Sequence, residues 1–235
     1  ANFSEWIAMG APDPRVANGR NPVKSEIDLE EGRKFWSFIP PTKSQAPVVK
    51  NAAWPRGEID QFILSKLEEK NLTVTRDATR RELIRRIHFD LTGLPPTPGE
   101  ISKFLNDQSE GAFEKVVDRL LRSPHFGEHW GRHWLDVARY SESNGMERNY
   151  TYPHAWRYRD YVIRSFNHDK PFRQFISEQI AGDLLGRDKR KPTDDELIAT
   201  GFLALGPKPL NQGNKALFKL DVVDEQIDAT TRAFL

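Results

Sequence analysis

The sequence predicts an all-α protein: a single multi-helix domain behind a long irregular N-terminal arm. Three observations carry this. From residue 56 onward, apolar residues recur three and four positions apart, which is the spacing of one helix face. Thr79 with Glu82, Thr97 with Glu100 and Thr193 with Glu196 have the form of capping boxes, in which the two side chains satisfy free amides at a helix start. The connections between periodic segments are short, as in packed helical domains.

The elements follow in order. Ala1 to Ala11 places Phe3, Trp6 and Ile7 at amphipathic spacing and stops at Gly10 and Pro12, which predicts the last turns of a helix. Residues 12–55 are rich in proline, with a short helical pattern at Asp28 to Trp36. Phe35, Trp36 and Phe38 are expected to anchor this arm against a surface; the alternative, a flexible linker, would leave them in water. Arg56 to Lys70 predicts a helix with Ile59, Phe62, Ile63 and Leu67 inward. Arg80 to Asp90 follows, with Leu83, Ile84 and Ile87 inward, then a helix from Thr97 to about Leu105, and another from Glu110 to Arg122. After the central helix come Ala155 to Phe166, a helix opened by Lys170-Pro171 and ended near Gly182, a charged turn at Arg187 to Lys191, a helix from Thr193 to about Leu205, and a last one from Leu220 to Leu235. The domain boundaries expected from this pattern are 1–15, 16–55 and 56–235.

Composition narrows the function classes. The 235 residues are 37% hydrophobic and 29% charged, which suits helices with wet outer faces, while six Trp and fourteen Phe build the core from a few large side chains. Thirty-five Lys and Arg against thirty-four Asp and Glu leave a net charge of +1, interspersed along the chain, so bulk charge recruits no nucleic acid. No apolar run approaches a membrane span, and no signal peptide is visible. With no cysteine, the chain can form no disulfide, no thiolate metal site and no covalent haem attachment. The start at Ala1 and the close at Phe234-Leu235 inside a helical pattern suggest a piece of something longer.

Fold and chemistry meet in Ser123 to Tyr140, SPHFGEHWGRHWLDVARY. Ser123 and Pro124 form a helix start. Helical spacing puts Phe126, Trp130, Trp134, Val137 and Ala138 on a core face, beside Gly127 and Gly131, and gathers His125, His129, Arg132, His133, Asp136, Arg139 and Tyr140 on the other side. Each glycine costs about 1 kcal/mol against alanine in a helix interior, so the pair implies another backbone or a large ring packed close. A turn is expected at Asn144-Gly145.

Three readings of these side chains stand side by side. His125 to His129 fits the H-x-x-E-H zinc pattern, with His133 or Asp136 as a third ligand; the plain alternative is histidines hydrogen-bonded to carboxylates. His133, Asp136, Arg139 and Tyr140, joined by Glu142, Asn144, Trp156 and Arg157, can hold a sugar, an anion or a haem propionate, or can simply tie three helices together through partly buried ion pairs. Trp130, Trp134 and Trp156 can stack sugars, although at helical spacing such residues usually form core. Glycosidase carboxylates have candidates in Asp136, Glu142 and Glu147. Neither Ser141 nor Ser143 has a neighbour that marks it as an activated nucleophile.

IDQFILSKLE from Ile59, RRELIRRIHFDLTGLPPTPGEI from Arg80, VVDRLLRSPHFGEHWGRHWLDVARYSESNG from Val116 and AWRYRDYVIRSFNHDKPF from Ala155 together resemble the planctomycete-type cytochrome-associated (PSCyt) domain, a domain of unknown function. EWIAMGAPDP is similar to the closing helix of a c-type cytochrome domain, so residues 1–15 are expected to be its remnant. The resemblance implies a large exported protein of the cell envelope or periplasm, with c-type haem in neighbouring domains and none in this chain. It also implies electron transfer linked to polysaccharide breakdown. In relatives the position of His129 is commonly arginine, which argues against zinc, and a Cys-x-x-Cys-His motif follows a segment like DATTRAFL. The expected role is a helical module that positions a substrate or a haem domain for redox chemistry, its partners being flanking haem-bearing segments or the C-terminal part of the same protein. The alternative is a polysaccharide-binding or polysaccharide-degrading domain, and the third a zinc hydrolase.

Overall fold

The computed structural model describes residues 3–10, 28–145, 150–186 and 190–234, which form helices, turns and one isolated antiparallel bridge between Ser143 and Thr151. Glu147 and most of the charged turn expected at Arg187 to Lys191 lie outside the described residues, as does all of the proline-rich stretch before Asp28. The chain divides into two compact units, Ala1–Thr75 and Arg76–Leu235. Among the described residues no helix is long and apolar enough to cross a membrane.

The first unit holds α1 (Phe3–Ala8), α2 (Leu29–Gly32), a 3-10 turn at Trp36–Phe38 and α3 (Glu58–Glu69). Asp28 caps α2 by accepting from the amides of Glu30 and Glu31. Within this unit Phe35, Trp36 and Phe38 are each more than half exposed, and Phe35 packs on Trp36. α3 forms where expected but turns a different face inward. Leu64 is buried, whereas Ile59, Phe62 and Ile63 are exposed. The reason is polar: Glu68 accepts from the amides of Lys50 and Asn51, and Asp60 from that of Arg56, so the arm lies along the side of α3 that carries Asp60, Leu64 and Glu68.

In the second unit, α4 (Arg80–Thr92), α5 (Pro98–Asn106) and α6 (Ala112–Leu121) close on a small core of Ile84, Phe104 and Ala112. Both capping boxes form as read: the Thr79 and Thr97 side chains accept from the amides of Glu82 and Glu100, which reach back in turn. Gly93, in the left-handed region at φ 68°, stops α4. Then come α7 (Pro124–Val137), α8 (Trp156–Asn167), α9 (Phe172–Ala181), α10 (Asp194–Ala199), a 3-10 turn at Thr200–Leu203, and α11 (Lys215–Phe234). Their core centres on Tyr158, Tyr161, Val162, Phe175 and Phe202.

Two element ends differ from the sequence reading. The helix opened by Thr193 tightens into 3-10 geometry at Thr200, where Gly201 lies against the Tyr158 ring so closely that a β-carbon would sit 3.0 Å from it. α11 begins five residues before Leu220, because Asn214 caps it by accepting from the amides of Ala216 and Leu217.

Candidate functional site

α7 is placed by its glycines. Gly127 and Gly131 are buried against α8, and Ala138 continues that line, while Trp134 packs on the main core with its ring centroid 4.9 Å from that of Phe175. Trp130 and Val137 were expected on this face but are exposed. The close glycine contact rotates the buried stripe toward Gly127, Gly131, Leu135 and Ala138. Trp130 is thereby left at the edge, where its indole N–H donates to the Asp90 carbonyl at 3.1 Å.

The polar flank of α7 separates into distinct groups. His125 Nδ1 lies 2.7 Å from Glu128 Oε2. The His129 and His133 rings pack edge to face, 6.0 Å apart, and both touch the Trp130 ring. Among the described residues no three His, Cys, Asp or Glu side chains converge to hold a metal. Asp136 is exposed. Tyr140 Oη donates to Glu142 Oε1 at 2.9 Å, and Arg159 Nη1 joins the same oxygen at 3.3 Å while its other nitrogens hold Asp160. Burial, then the neighbouring Glu142 carboxylate, pushes the Tyr140 hydroxyl up to about 12.

Arg139 and Asn144 serve a different corner. α7 ends with Arg139 in the left-handed region at φ 53°, which aims its guanidinium at α11: Nη1 donates to Asp228 Oδ2 at 3.1 Å and Nη2 to the Glu225 carbonyl at 3.0 Å, with Glu225 Oε1 2.7 Å away. Lys208 Nζ reaches to 3.9 Å from Glu225 Oε2. Burial pushes the Lys208 ammonium down, the Glu225 charge opposes that, and Arg139 adds to it. Arg139 Nε, the Tyr152 hydroxyl and both Glu225 carboxylate oxygens are buried without a hydrogen bond among the described residues. Asn144 is 1% exposed and fully used: its amide and carbonyl pair with the Tyr150 carbonyl and the Lys208 amide, and its side chain bonds the Tyr150 amide and the Lys208 carbonyl.

Beside this corner lies a cleft of about 470 Å³. Its lining is mostly apolar, with Tyr158 of α8 and Ala155 just before it, Leu197 and Ile198 of α10, and Gly201 and Leu205 beyond it; Tyr152, His154, Arg157 and Thr200 add polar groups. Arg157 and Trp156 stand outward from the start of α8, the guanidinium 5.5 Å from the indole centroid, and Arg157 meets no carboxylate among the described residues. The eight residues predicted as a site therefore do not form one constellation. Arg139 joins α11, Asn144 joins the 206–210 loop, Tyr140 and Glu142 join Arg159, and only Arg157 borders the cleft.

The sequence reading missed Lys208, Glu225 and Tyr152, and also Glu178, which is buried between Tyr161, Lys170 and Gln174. A signal was present for both acids. Glu225 sits on the stripe Phe218, Val222, Glu225, Ala229, and Glu178 three residues after Phe175, so each acid lies on an otherwise apolar inward face.

No curated protein and no solved structure matches the chain. The model of one family, PSCyt2, described as a protein of unknown function (DUF1549), matches residues 58–235. That match covers α3 to the end of α11, including every candidate residue above, and the chain belongs to this family.

Proposed function

We propose that the domain is a non-catalytic helical module of an exported, cytochrome-associated protein of the periplasm or cell envelope, and that it positions a haem-bearing partner for redox chemistry carried out elsewhere. One observation carries this reading: the cleft beside α8 joins an apolar lining to one cation, Arg157, which meets no carboxylate among the described residues, an arrangement suited to a largely apolar partner surface with an acidic group at its edge. The polar residues that follow α7 support it, since Arg139, Glu142 and Asn144 are spent on neighbouring elements. In the expected arrangement c-type haem belongs to neighbouring domains, because this chain has no cysteine to attach it. The test is calorimetric titration of the domain with a c-type cytochrome domain as the proposed partner. Binding that weakens with salt and drops on Arg157→Glu is the expected result; binding unchanged by that substitution, or turnover of a defined substrate by the domain alone, refutes it.

A second reading, polysaccharide binding, rests on the exposure of Trp130 and Trp156, at 39% and 44%. Exposed indoles offer the flat apolar faces on which sugar rings stack. Titration with soluble polysaccharides tests it: Trp156→Ala should abolish binding, and binding indifferent to both Trp130→Ala and Trp156→Ala rules it out.

A further inference from the structure

A second cleft, of about 450 Å³, opens where α7, α8 and α9 meet. Its walls are rings: Phe126 and Trp134 from α7, Phe166 from α8, Phe172 and Phe175 from α9. Trp134 and Phe166 both stand edge-on to Phe175, at 4.9 and 6.2 Å, so the walls are braced by one another. Phe172 is 64% exposed, which puts it at the mouth with little role in the core.

The polar groups are few and asymmetric. The Ser165 hydroxyl is spent on the Tyr161 carbonyl at 2.8 Å. Lys170 is largely buried; its ammonium bonds Glu178 Oε2 and lies 4.6 Å from the Tyr161 ring centroid. An ammonium has three protons, so Lys170 keeps donor capacity beyond the bond to Glu178. Next to it α9 begins at Pro171, whose side chain has no acceptor, so this N-cap gives the first-turn amides no side-chain cap. Asp169, exposed on the rim, and Glu178, paired with Lys170, both oppose an anion, so a negative group is held only by a direct bond to the ammonium or the helix start. Aromatic walls, one ammonium and an uncapped helix start define the ligand: flat, apolar and carrying a single negative charge.

We propose that this slot binds a planar aromatic carboxylate, with its ring among Phe126, Phe172 and Trp134 and its carboxylate at Lys170 and the first turn of α9. It uses none of the residues on which the partner-docking cleft depends, so the two stand or fall separately. The experiment is isothermal titration of the protein with 2-naphthoate, with neutral 2-naphthol as the comparison. The expected result is one saturable site that prefers naphthoate about tenfold, as a charge-assisted hydrogen bond to the ammonium would give. Phe172→Ala, at an exposed position, should weaken binding without changing the circular dichroism. The paired change Lys170→Met with Glu178→Gln, which removes both charges together, should erase the preference while naphthol still binds. Absence of saturable binding, equal affinity for the two compounds, indifference to Phe172→Ala, or loss of naphthoate binding on Arg157→Ala each overturns the proposal.

Discussion

The backbone carbonyl oxygen of Ile163 lies within the space that a β-carbon on Gly127 would fill. α7 and α8 are thus in backbone contact there, and the Gly127 amide donates to Asn167 Oδ1 at 2.7 Å while Asn167 Nδ2 donates to the Pro124 carbonyl. One turn on, a β-carbon on Gly131 would meet Val162 Cγ1 at 3.4 Å, an ordinary contact. Two glycines of the same helix should therefore respond with opposite signs. Gly127→Ala should destabilise by about 1–3 kcal/mol through overpacking, despite the better helix propensity of alanine. Gly131→Ala should be neutral or stabilise by up to about 1 kcal/mol. Urea denaturation of both variants checks this, and equal effects would show that the helices are not in contact at Gly127.

The Arg139 corner is expected to be costly to open and cheap to replace. Arg139→Ala leaves the Glu225 carboxylate buried with only Lys208 nearby, and removal of one partner of a buried pair typically costs about 3–5 kcal/mol. The guanidinium is about one-quarter exposed and so partly screened by water, which puts the expected loss at the lower end of that range. Arg139→Met combined with Glu225→Gln should lose less than the two single changes added together. A double-mutant cycle by thermal or urea denaturation measures the difference, and additivity would mean the two groups do not interact.

A pH dependence follows from His88, buried between α4, α5 and α6. Burial pushes its imidazole below the ordinary 6.5, the Glu100 carboxylate opposes this, and Arg119 lowers it further. His88 Nε2 lies 3.4 Å from Arg119 Nη2, which suits a neutral ring accepting from the guanidinium. The unfolded chain therefore takes up a proton before the folded one does as pH falls. Stability should be at its full value above about pH 6.5 and should decline below it by up to about 1.4 kcal/mol per pH unit. Against burial, which pushes the other way, Glu100 is held down to about 2 by its capping bonds to Thr97 and by Arg119, so its own contribution is kept through this window and is lost only as pH falls from about 4.5 toward 2. Equilibrium unfolding between pH 7 and 5 reads the slope; His88→Gln should flatten it, and an unchanged slope would assign it to other groups.

The helices were legible because their signals are local. Threonines 79, 97 and 193 cap as their sequence predicts, each box needing only four residues to be recognised. The paired glycines of α7 likewise announced a close neighbour before α8 could be identified as it. What did not show was rotation about a helix axis. Trp130 and Val137 on α7, and Ile59 to Ile63 on α3, satisfy an apolar stripe on paper, yet the contact of Gly127 with Ile163 and the grip of Glu68 on the Lys50 amide chose different stripes. The site was less legible still. Helical spacing placed Arg139 and Asp136 together, but the left-handed turn at Arg139 sends its side chain to Glu225 and Asp228, some ninety positions on, and no spacing rule reaches that far.

The partner-docking account is tested most directly by hydrogen–deuterium exchange of the domain with and without a c-type cytochrome domain as the proposed partner. It predicts slowed exchange in residues 152–158 and 197–205, the segments that line the cleft with Arg157, with the change lost in Arg157→Glu. Protection confined to other segments, or none at a concentration where the two proteins associate, would contradict it.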